Sequence, residues 1–407
     1  MKSFIPSTTT LILLVLLASA CNWQNEQTIA ELNLLLDSLH QENVADDRIE
    51  LWDILVSDAN GLIQLEGNLS DEETYAVVLE AVDQHFPEVH VALTLLPGNG
   101  GGQLVNALVN NSVIHLRREP SSTKELVTQA LLGTPVRLLK TEGGKSLIQV
   151  PDGYIGWVNT AELHLLDQEG LDTYREAEKL IFTAQYGIAY SEPDVQSMPM
   201  TDLVIGNIVN KVAEQGAFTQ VSYPDGRLGW VHSKELVPAE EIFYKSTLKE
   251  NLVQTALMFH GIPYLWGGTS SKIIDCSGLV CNIYFMNGIQ LPRDADMQAL
   301  IGRELSTEFT PDPLEPGDLL FFGRKASEER EENVTHVAMY IGGGEYIHSA
   351  GYRERVSINS MDSTMESYIE RYPEIFVRAV RILGEEYEGF RPIPDNEFYA
   401  EIITPEE

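Results

Sequence analysis

Apolar residues recur at helical spacing between positions 28 and 41, where Ile29, Leu32, Leu35, Leu36 and Leu39 fall along one stripe, so the segment reads as an amphipathic helix. The period then shortens. Ile49, Leu51 and Ile54, followed by Leu62, Ile63 and Leu65, flank Asn60-Gly61, a dipeptide that suits the left-handed conformations of a tight hairpin. Asp71 is placed to cap a helix running to Phe86, and positions 89–96 read as a further strand. Together these predict a small α+β domain over 27–100, with nothing catalytic in it, that leaves through a glycine-rich stretch at 97–102.

The middle of the chain repeats itself. Pro151-Asp-Gly-Tyr-Ile-Gly-Trp-Val-Asn-Thr-Ala-Glu-Leu163 aligns with Pro224-Asp-Gly-Arg-Leu-Gly-Trp-Val-His-Ser-Lys-Glu-Leu236. Short β-type runs precede each copy, at 136–139 and 147–150 and again at 204–209 and 218–222, which predicts two small β-barrels over 106–166 and 178–238. Trp157 and Trp230 are expected to be core or groove aromatics. A third region, 246–384, begins with a helix over 248–260, ended at Gly261-Ile-Pro263. A second helix starts at Cys276 and stops at Gly288, and strands follow at 319–322, 334–341 and 345–348. Residues 385–407, rich in Glu, read as a solvated acidic tail.

Composition narrows the function. The formal charge of −34 excludes nucleic acid as a partner, because phosphate would be repelled over the whole surface, and favours cationic or zwitterionic substrates. At the N-terminus Lys2 precedes an apolar run from Leu11 to Leu17 and the small residues Ala18, Ser19 and Ala20, directly before Cys21. Residues 1–21 therefore read as a secretory signal; the alternative to lipid attachment at Cys21 is an ordinary cleaved signal with an incidental Cys. The apolar run is much shorter than the ~20 residues a spanning helix needs. Cys21, Cys276 and Cys281 are the only cysteines, too few for a disulfide framework.

A thiol attacks as its thiolate, so a nucleophilic Cys needs help. At Cys276 the start of a helix would supply unpaired backbone N–H groups that stabilise the anion and can hold an oxyanion. A base would come from His336 or His348, on strands joined by Gly342-Gly343-Gly344. A hairpin centred on Gly343 pairs 338 with 348 and 336 with 350, which makes the two imidazoles diagonal neighbours on one face. His336 can then face the thiol while His348 holds its other nitrogen. Cys281, five positions beyond Cys276, is rotated off that face and reads as a core residue. No cofactor is implied, and a zinc site from Cys276, Cys281, His336 and His348 is disfavoured because the Cys pair lacks a tight ligand knuckle. Asp275 suits helix capping.

Both repeats resemble bacterial SH3 domains, and residues 250–350 resemble the NlpC/P60 family of cell-wall cysteine peptidases. The second resemblance rests on Tyr264-Leu-Trp-Gly-Gly268, Asp275-Cys-Ser-Gly-Leu-Val280, Leu291-Pro-Arg-Asp-Ala-Asp-Met-Gln298, Pro316-Gly-Asp-Leu-Leu-Phe-Phe322 and Thr335-His-Val-Ala-Met-Tyr340 with His348 after it. It implies a papain-like α+β core with Cys276 as nucleophile, His336 as base and His348 as third member. Two SH3 domains before such a core imply an endopeptidase that cuts between γ-D-Glu and a diamino acid in peptidoglycan stem peptides bearing a free N-terminal L-Ala. The same resemblance assigns substrate contacts to Asp294, Asp275, Ser277 and Tyr154 of the first repeat, and places Tyr264 at the active site as oxyanion support. Capping and amine binding are compatible roles for Asp275. Arg227 replaces the tyrosine in the second repeat, and Ala295 stands where such enzymes carry Ser, removing one hydroxyl contact. The Leu-Ala-Ser-Ala-Cys junction resembles a bacterial lipoprotein processing site, so the expectation is an exported monomer tethered to a membrane through lipid on Cys21. A wall-binding adaptor with an inert core, or an amidase using the same thiol, are the competing functions.

Overall fold

The computed structural model describes residues 8–59, 61–98, 104–245, 248–384 and 391–403, with backbone alone for 8–23. The start of the signal segment, the Cys21 side chain, Asn60, residues 99–102 of the glycine-rich exit, and 385–390 and 404–407 of the acidic segment therefore lie outside what is described. The chain divides into two compact units, Met1–Gly102 and Gln103–Glu407.

In the first unit, helix α1 (Thr8–Asn43) buries Leu32, Leu36 and Leu39, the stripe that the spacing predicts. Strands β1 (Trp52–Ala59) and β2 (Leu62–Leu69) are antiparallel, with Ala59 opposite Leu62 across the turn. Helix α2 (Glu72–His85) then carries the chain to β3 (His90–Leu95), parallel to β2, and Asp71 Oδ1 caps the helix by accepting the Thr74 N–H at 2.7 Å.

The second unit opens with the two repeats. The first contributes β4 (Ala107–Val109), β5 (Val113–Arg117), β6 (Leu126–Leu131), β7 (Pro135–Glu142), β8 (Lys145–Gln149), β9 (Ile155–Asn159) and β10 (Leu163–Leu165), hydrogen-bonded in the order β10-β4-β7-β8-β9-β5-β6. After helix α3 (Gln168–Glu176) come β11 (Lys179–Phe182), β12 (Tyr186–Tyr190), β13 (Pro199–Val204), β14 (Ile208–Gln215), β15 (Phe218–Ser222), β16 (Leu228–His232) and β17 (Leu236–Pro238), in the order β17-β11-β14-β15-β16-β12-β13. The two orders are the same. Even the register slips correspond, at Leu116/Arg117 and Ala189/Tyr190 and at Leu138/Lys140 and Lys211/Ala213. Among the described residues no ladder joins the outer strands, and the two sheets are compatible with the SH3-like barrels that the repeats predict. The run predicted as one strand at 204–209 is split: Val204 ends β13, Ile208 and Val209 open β14, and 205–207 turn between them because Gly206 at φ 88° ends a strand.

Helices α4 (Ala239–Phe243) and α5 (Lys249–Met258), the short pair β18 (Thr269–Ser270) and β19 (Ile273–Ile274), and helix α6 (Cys276–Phe285) lead into β20 (Ile289–Gln290), α7 (Ala295–Gln298) and β21 (Arg303–Ser306). The main sheet is completed by β22 (Leu319–Arg324), β23 (Asn333–Gly342), β24 (Glu345–Ala350), β25 (Arg355–Ser360) and, after α8 (Tyr372–Ile375), β26 (Phe376–Arg381). Its order is β21-β26-β22-β23-β24-β25, antiparallel throughout. Leu279, Val280 and Ile283 of α6 share one apolar core with Val337, Met339 and Ile347 of the sheet, which fixes where the N-terminus of α6 lands. The β23–β24 hairpin turns through Gly342, Gly343 and Gly344, all at positive φ, a run that residues with a Cβ would adopt only with strain.

The acidic tail is corrected by the structure. Residues 391–403 fold back: β27 (Arg391–Pro392) pairs with β20, α9 (Glu397–Ala400) buries Phe398 and Tyr399, and Ile402 is buried just beyond it. The Asn396 amide donates to Pro151 O at 2.8 Å, tying this segment to the first repeat. Counting its charges concealed the apolar residues Phe398, Tyr399 and Ile402, whose burial outweighs the cost of ordering the segment.

Candidate active site

Cys276 is the first residue of α6, and the backbone N–H groups of Val337 and Ser277 are near enough to its sulfur to favour the anion. Val337 follows His336 on β23, so the thiol lies against the strand that carries the imidazole. Burial and the neighbouring Asp275 carboxylate push the thiol up to about 12, opposed by the Val337 and Ser277 N–H groups and by Arg293. The resting form is the protonated thiol.

The observed register, Met339 opposite Ile347 and Tyr340 opposite Tyr346, is the one the glycine turn predicts, and it brings His336 Nε2 to 2.8 Å from His348 Nδ1. The tautomers follow from the next link. Asn359 donates its amide N–H to Ser367 O, which can only accept, so the Asn359 Oδ1 that sits 3.0 Å from His348 Nε2 is an acceptor. His348 therefore carries its proton on Nε2 and accepts at Nδ1 from His336 Nε2–H, leaving the lone pair of His336 on Nδ1 as the basic nitrogen. The Tyr372 hydroxyl lies 3.1 Å from His348 Nδ1 and 3.3 Å from His336 Nε2, beside the same junction. Burial pulls His336 well below 6.5, with His348 adding to the effect, and pulls His348 to about 4 against the Asn359 hydrogen bond. Both are neutral at pH 7.

Asp275 and Ser277 are engaged within the protein. Arg293, 1% exposed, sends Nη2 to Asp275 Oδ2 at 2.8 Å, Nη1 to Asp275 Oδ1 at 3.2 Å and to Ser277 Oγ at 2.8 Å, and Nε to Thr128 Oγ1 of the first repeat at 2.8 Å. Asp275 also caps α6 through Gly278 N at 2.7 Å and accepts Gly267 N at 2.8 Å. A carboxylate has about four lone-pair sites, and these partners fill them. Both side chains are held by a buried guanidinium, which needs them.

Asp294 is placed differently. Its side chain makes no cap bond to α7, keeps 26% exposure, and accepts the Tyr154 hydroxyl on Oδ2 at 3.3 Å. Tyr154 reaches it from the first repeat, its backbone set by an Asx turn in which its N–H donates to Asp152 Oδ1 at 3.0 Å. The second repeat has the same turn, Arg227 N–H to Asp225 Oδ1 at 3.2 Å, but Arg227 spends its guanidinium on Asp225 and on Asn110 O. Tyr264 completes the surroundings of the thiol: burial, Cys276 and Asp275 raise its hydroxyl to about 12, so it remains a donor. Ala295 is buried, and Cys281 points inward, its sulfur 3.3 Å from Pro292 O.

A buried thiol at a helix start, a neutral imidazole pair and a carboxylate shared between two folding modules define a cysteine peptidase. Comparison with known proteins agrees. The NlpC/P60 family profile matches residues 261–372, and that of the bacterial dipeptidyl-peptidase SH3 domain matches 116–163. Dipeptidyl-peptidase 6 of Lysinibacillus sphaericus is 31% identical over 271 residues, 65% of this chain and 94% of the relative. A γ-D-glutamyl-L-lysine dipeptidyl-peptidase of Bacillus cereus is 31% identical over 266 residues, 62% of this chain and 75% of the relative. The crystal structure of an NlpC/P60 family protein from Bacillus cereus superposes with a TM-score of 0.58 at 26% identity, covering 68% of this chain and 99% of that one. The chain belongs to the NlpC/P60 family.

Sequence reasoning missed Arg293, Asn359 and Tyr372. Arg293 was in plain view within Leu-Pro-Arg-Asp, where its neighbour drew attention. Asn359 and Tyr372 lie in β25 and α8, neither of which the periodicity predicts.

Proposed function

We propose that this protein hydrolyses the bond between γ-D-Glu and the diamino acid in short peptidoglycan stem peptides that begin with a free L-Ala. The observation that carries the reading is the Tyr154–Asp294 contact, which sets a carboxylate from one module and a hydroxyl from another beside the segment that positions Cys276. In that pocket Asp294 takes the substrate's ammonium, and Tyr154 fixes the carboxylate and closes the end, so a stem still joined to glycan has no amine to offer and no room to pass.

The chemistry starts from neutral partners. As the Cys276 sulfur attacks the γ-carbonyl carbon, its proton passes to His336 Nδ1, and the imidazolium keeps its Nε2–H on His348. Backbone N–H groups at the start of α6, with the Tyr264 hydroxyl, hold the oxyanion. Collapse of the tetrahedral species expels the diamino acid, whose amine takes the proton from His336; water, activated by the same nitrogen, then releases L-Ala-γ-D-Glu from the thioester. Cys276→Ala should abolish release of the diamino acid from L-Ala-γ-D-Glu-diaminopimelate, read by mass spectrometry. Full activity of that variant would sink the assignment.

We further propose that the protein is exported as a monomer and held at a membrane by lipid on Cys21. The support is the Leu-Ala-Ser-Ala-Cys junction; no helix among the described residues is long and apolar enough to cross a membrane. Cys21→Ser should move the protein from the membrane fraction to the soluble one, and an unchanged distribution would contradict the anchor.

A further inference from the structure

Behind the catalytic imidazoles, along the edge strand β25, runs a groove of about 600 Å³ lined by His260, Arg353, Arg355, Asn359, Glu366 and Ser367 among others. In a chain with 61 acidic residues against 27 basic ones, Arg353 and Arg355 would be expected to find carboxylates. Neither makes an ion pair among the described residues; Arg353 only stacks over the Tyr352 ring at 5.4 Å. Between them stands Glu354 at φ 56°, the one non-glycine among the described residues with a left-handed backbone, a strain that persists only where the surroundings impose it.

The groove is joined to the chemistry from two directions. Asn359, on its floor, holds His348, and Arg353 acts on His348 through its charge. The turn before β25 also forms a wall of the cleft: Tyr264, whose hydroxyl senses the Cys276 thiol, donates its N–H to Glu354 O at 2.9 Å and lays its ring against Gly351. The amine end of a substrate is claimed by Asp294 and Tyr154, beside the first repeat. With the amine end held there, the leaving half of a substrate falls on the other side of the thiol, and this turn, which contacts Tyr264, is the wall available to it.

The geometry points to an anion subsite for the far end of the leaving diamino acid, an inference that rests on the endopeptidase reading above. The far end of meso-diaminopimelate is an amino-acid zwitterion. Its carboxylate suits the paired guanidinium groups of Arg353 and Arg355, and its ammonium suits Glu366 on the same wall. Lysine brings an ammonium for Glu366 but no carboxylate, so the two arginines are left without a partner and their charge opposes the approach of the ammonium. The enzyme is therefore selective for diaminopimelate over lysine, by charge rather than by length.

The test is the ratio of kcat/KM for L-Ala-γ-D-Glu-meso-diaminopimelate to that for L-Ala-γ-D-Glu-L-Lys, measured on the full chain and on Arg353→Ala, Arg355→Ala and the double variant. Both side chains are exposed, so folding is not at stake. A ratio of about ten or more is expected in the parent, the scale of one charge-assisted contact, falling toward one in the double variant. A parent ratio near one, or a double variant that keeps the parent ratio, overturns the subsite. Should the parent cut neither tripeptide, the endopeptidase reading fails, and calorimetric titration of the full chain with free meso-diaminopimelate decides the groove. Binding lost in the double variant supports it; binding absent from the parent, or equal in both, overturns it.

Discussion

One amide sets the protonation of the whole catalytic pair. Because Asn359 Oδ1 accepts from His348 Nε2, every proton in the relay has an assigned place, and His336 presents a lone pair rather than a proton to the thiol. Asn359→Ala removes that bias and should lower kcat by about tenfold to a hundredfold with KM little changed, the scale of losing one orienting hydrogen bond in a catalytic relay. Tyr372→Phe deletes a hydroxyl that touches both rings and should lower kcat in the same direction. Steady-state kinetics on the tripeptide separates these outcomes from a purely structural effect, which would shift stability and leave kcat of the folded fraction alone. The sign of the pH effect on stability also follows. Folding lowers His348 from 6.5 to about 4, so as pH falls through that window the unfolded chain takes up a proton that the native site refuses. Stability should decline by a few kcal/mol between pH 6.5 and 4, and the slope of Tm against pH should be shallower in His348→Gln.

At the scale of elements, the start of α6 depends on an ion pair that the sequence did not disclose. Asp275→Asn keeps a capping oxygen but strips the nearer of the two charges opposite Arg293, leaving the buried guanidinium only Asp294 Oδ1 at 3.7 Å, at a cost of up to about 3–5 kcal/mol. Denaturant unfolding reads that loss directly. Much of this region was legible in the sequence: the helix opening at Cys276, the glycine turn and the diagonal His pair all follow from period and turn chemistry, which are local. Arg293 was not, because a buried charge looks like a surface charge until its partners are placed. Strand β26 was missed because it mixes charged and apolar residues without strict alternation and its pairing with distant strands decides it, and β25 because it offers only two apolar residues, Val356 and Ile358, in its alternation. The terminal segment was misread for a related reason. Its charges face outward while Phe398, 3% exposed, faces in, and Phe398→Ala should destabilise the second unit by about 3–5 kcal/mol in the same unfolding experiment.

Across the whole molecule, duplication supplied two sheets of one topology, and a single exchange made them unequal: Tyr154 in the first copy reaches Asp294, whereas Arg227 in the second braces one repeat against the other. The repeat itself was readable from sequence; what the first copy touches was reached through family resemblance, because contacts between modules leave no periodic trace. Selection of an ammonium by a carboxylate also predicts a pH profile. Neither the thiol, held up near 12, nor the neutral imidazoles titrate between pH 7 and 9, so a fall in kcat/KM there belongs to the substrate amine, with a pKa of roughly 8. The limb should move when the amine's basicity is changed and stay fixed when the enzyme is varied. The most direct test of an interdomain pocket that demands a free amine is the ratio of kcat/KM for L-Ala-γ-D-Glu-diaminopimelate to that of its N-acetylated form, in the parent and in Tyr154→Phe. The parent should reject the acetylated peptide by a factor of a hundred or more, the scale of a buried carboxylate left unpaired, and Tyr154→Phe should lose about tenfold on the free peptide alone. Equal rates on the two peptides in the parent would contradict the account.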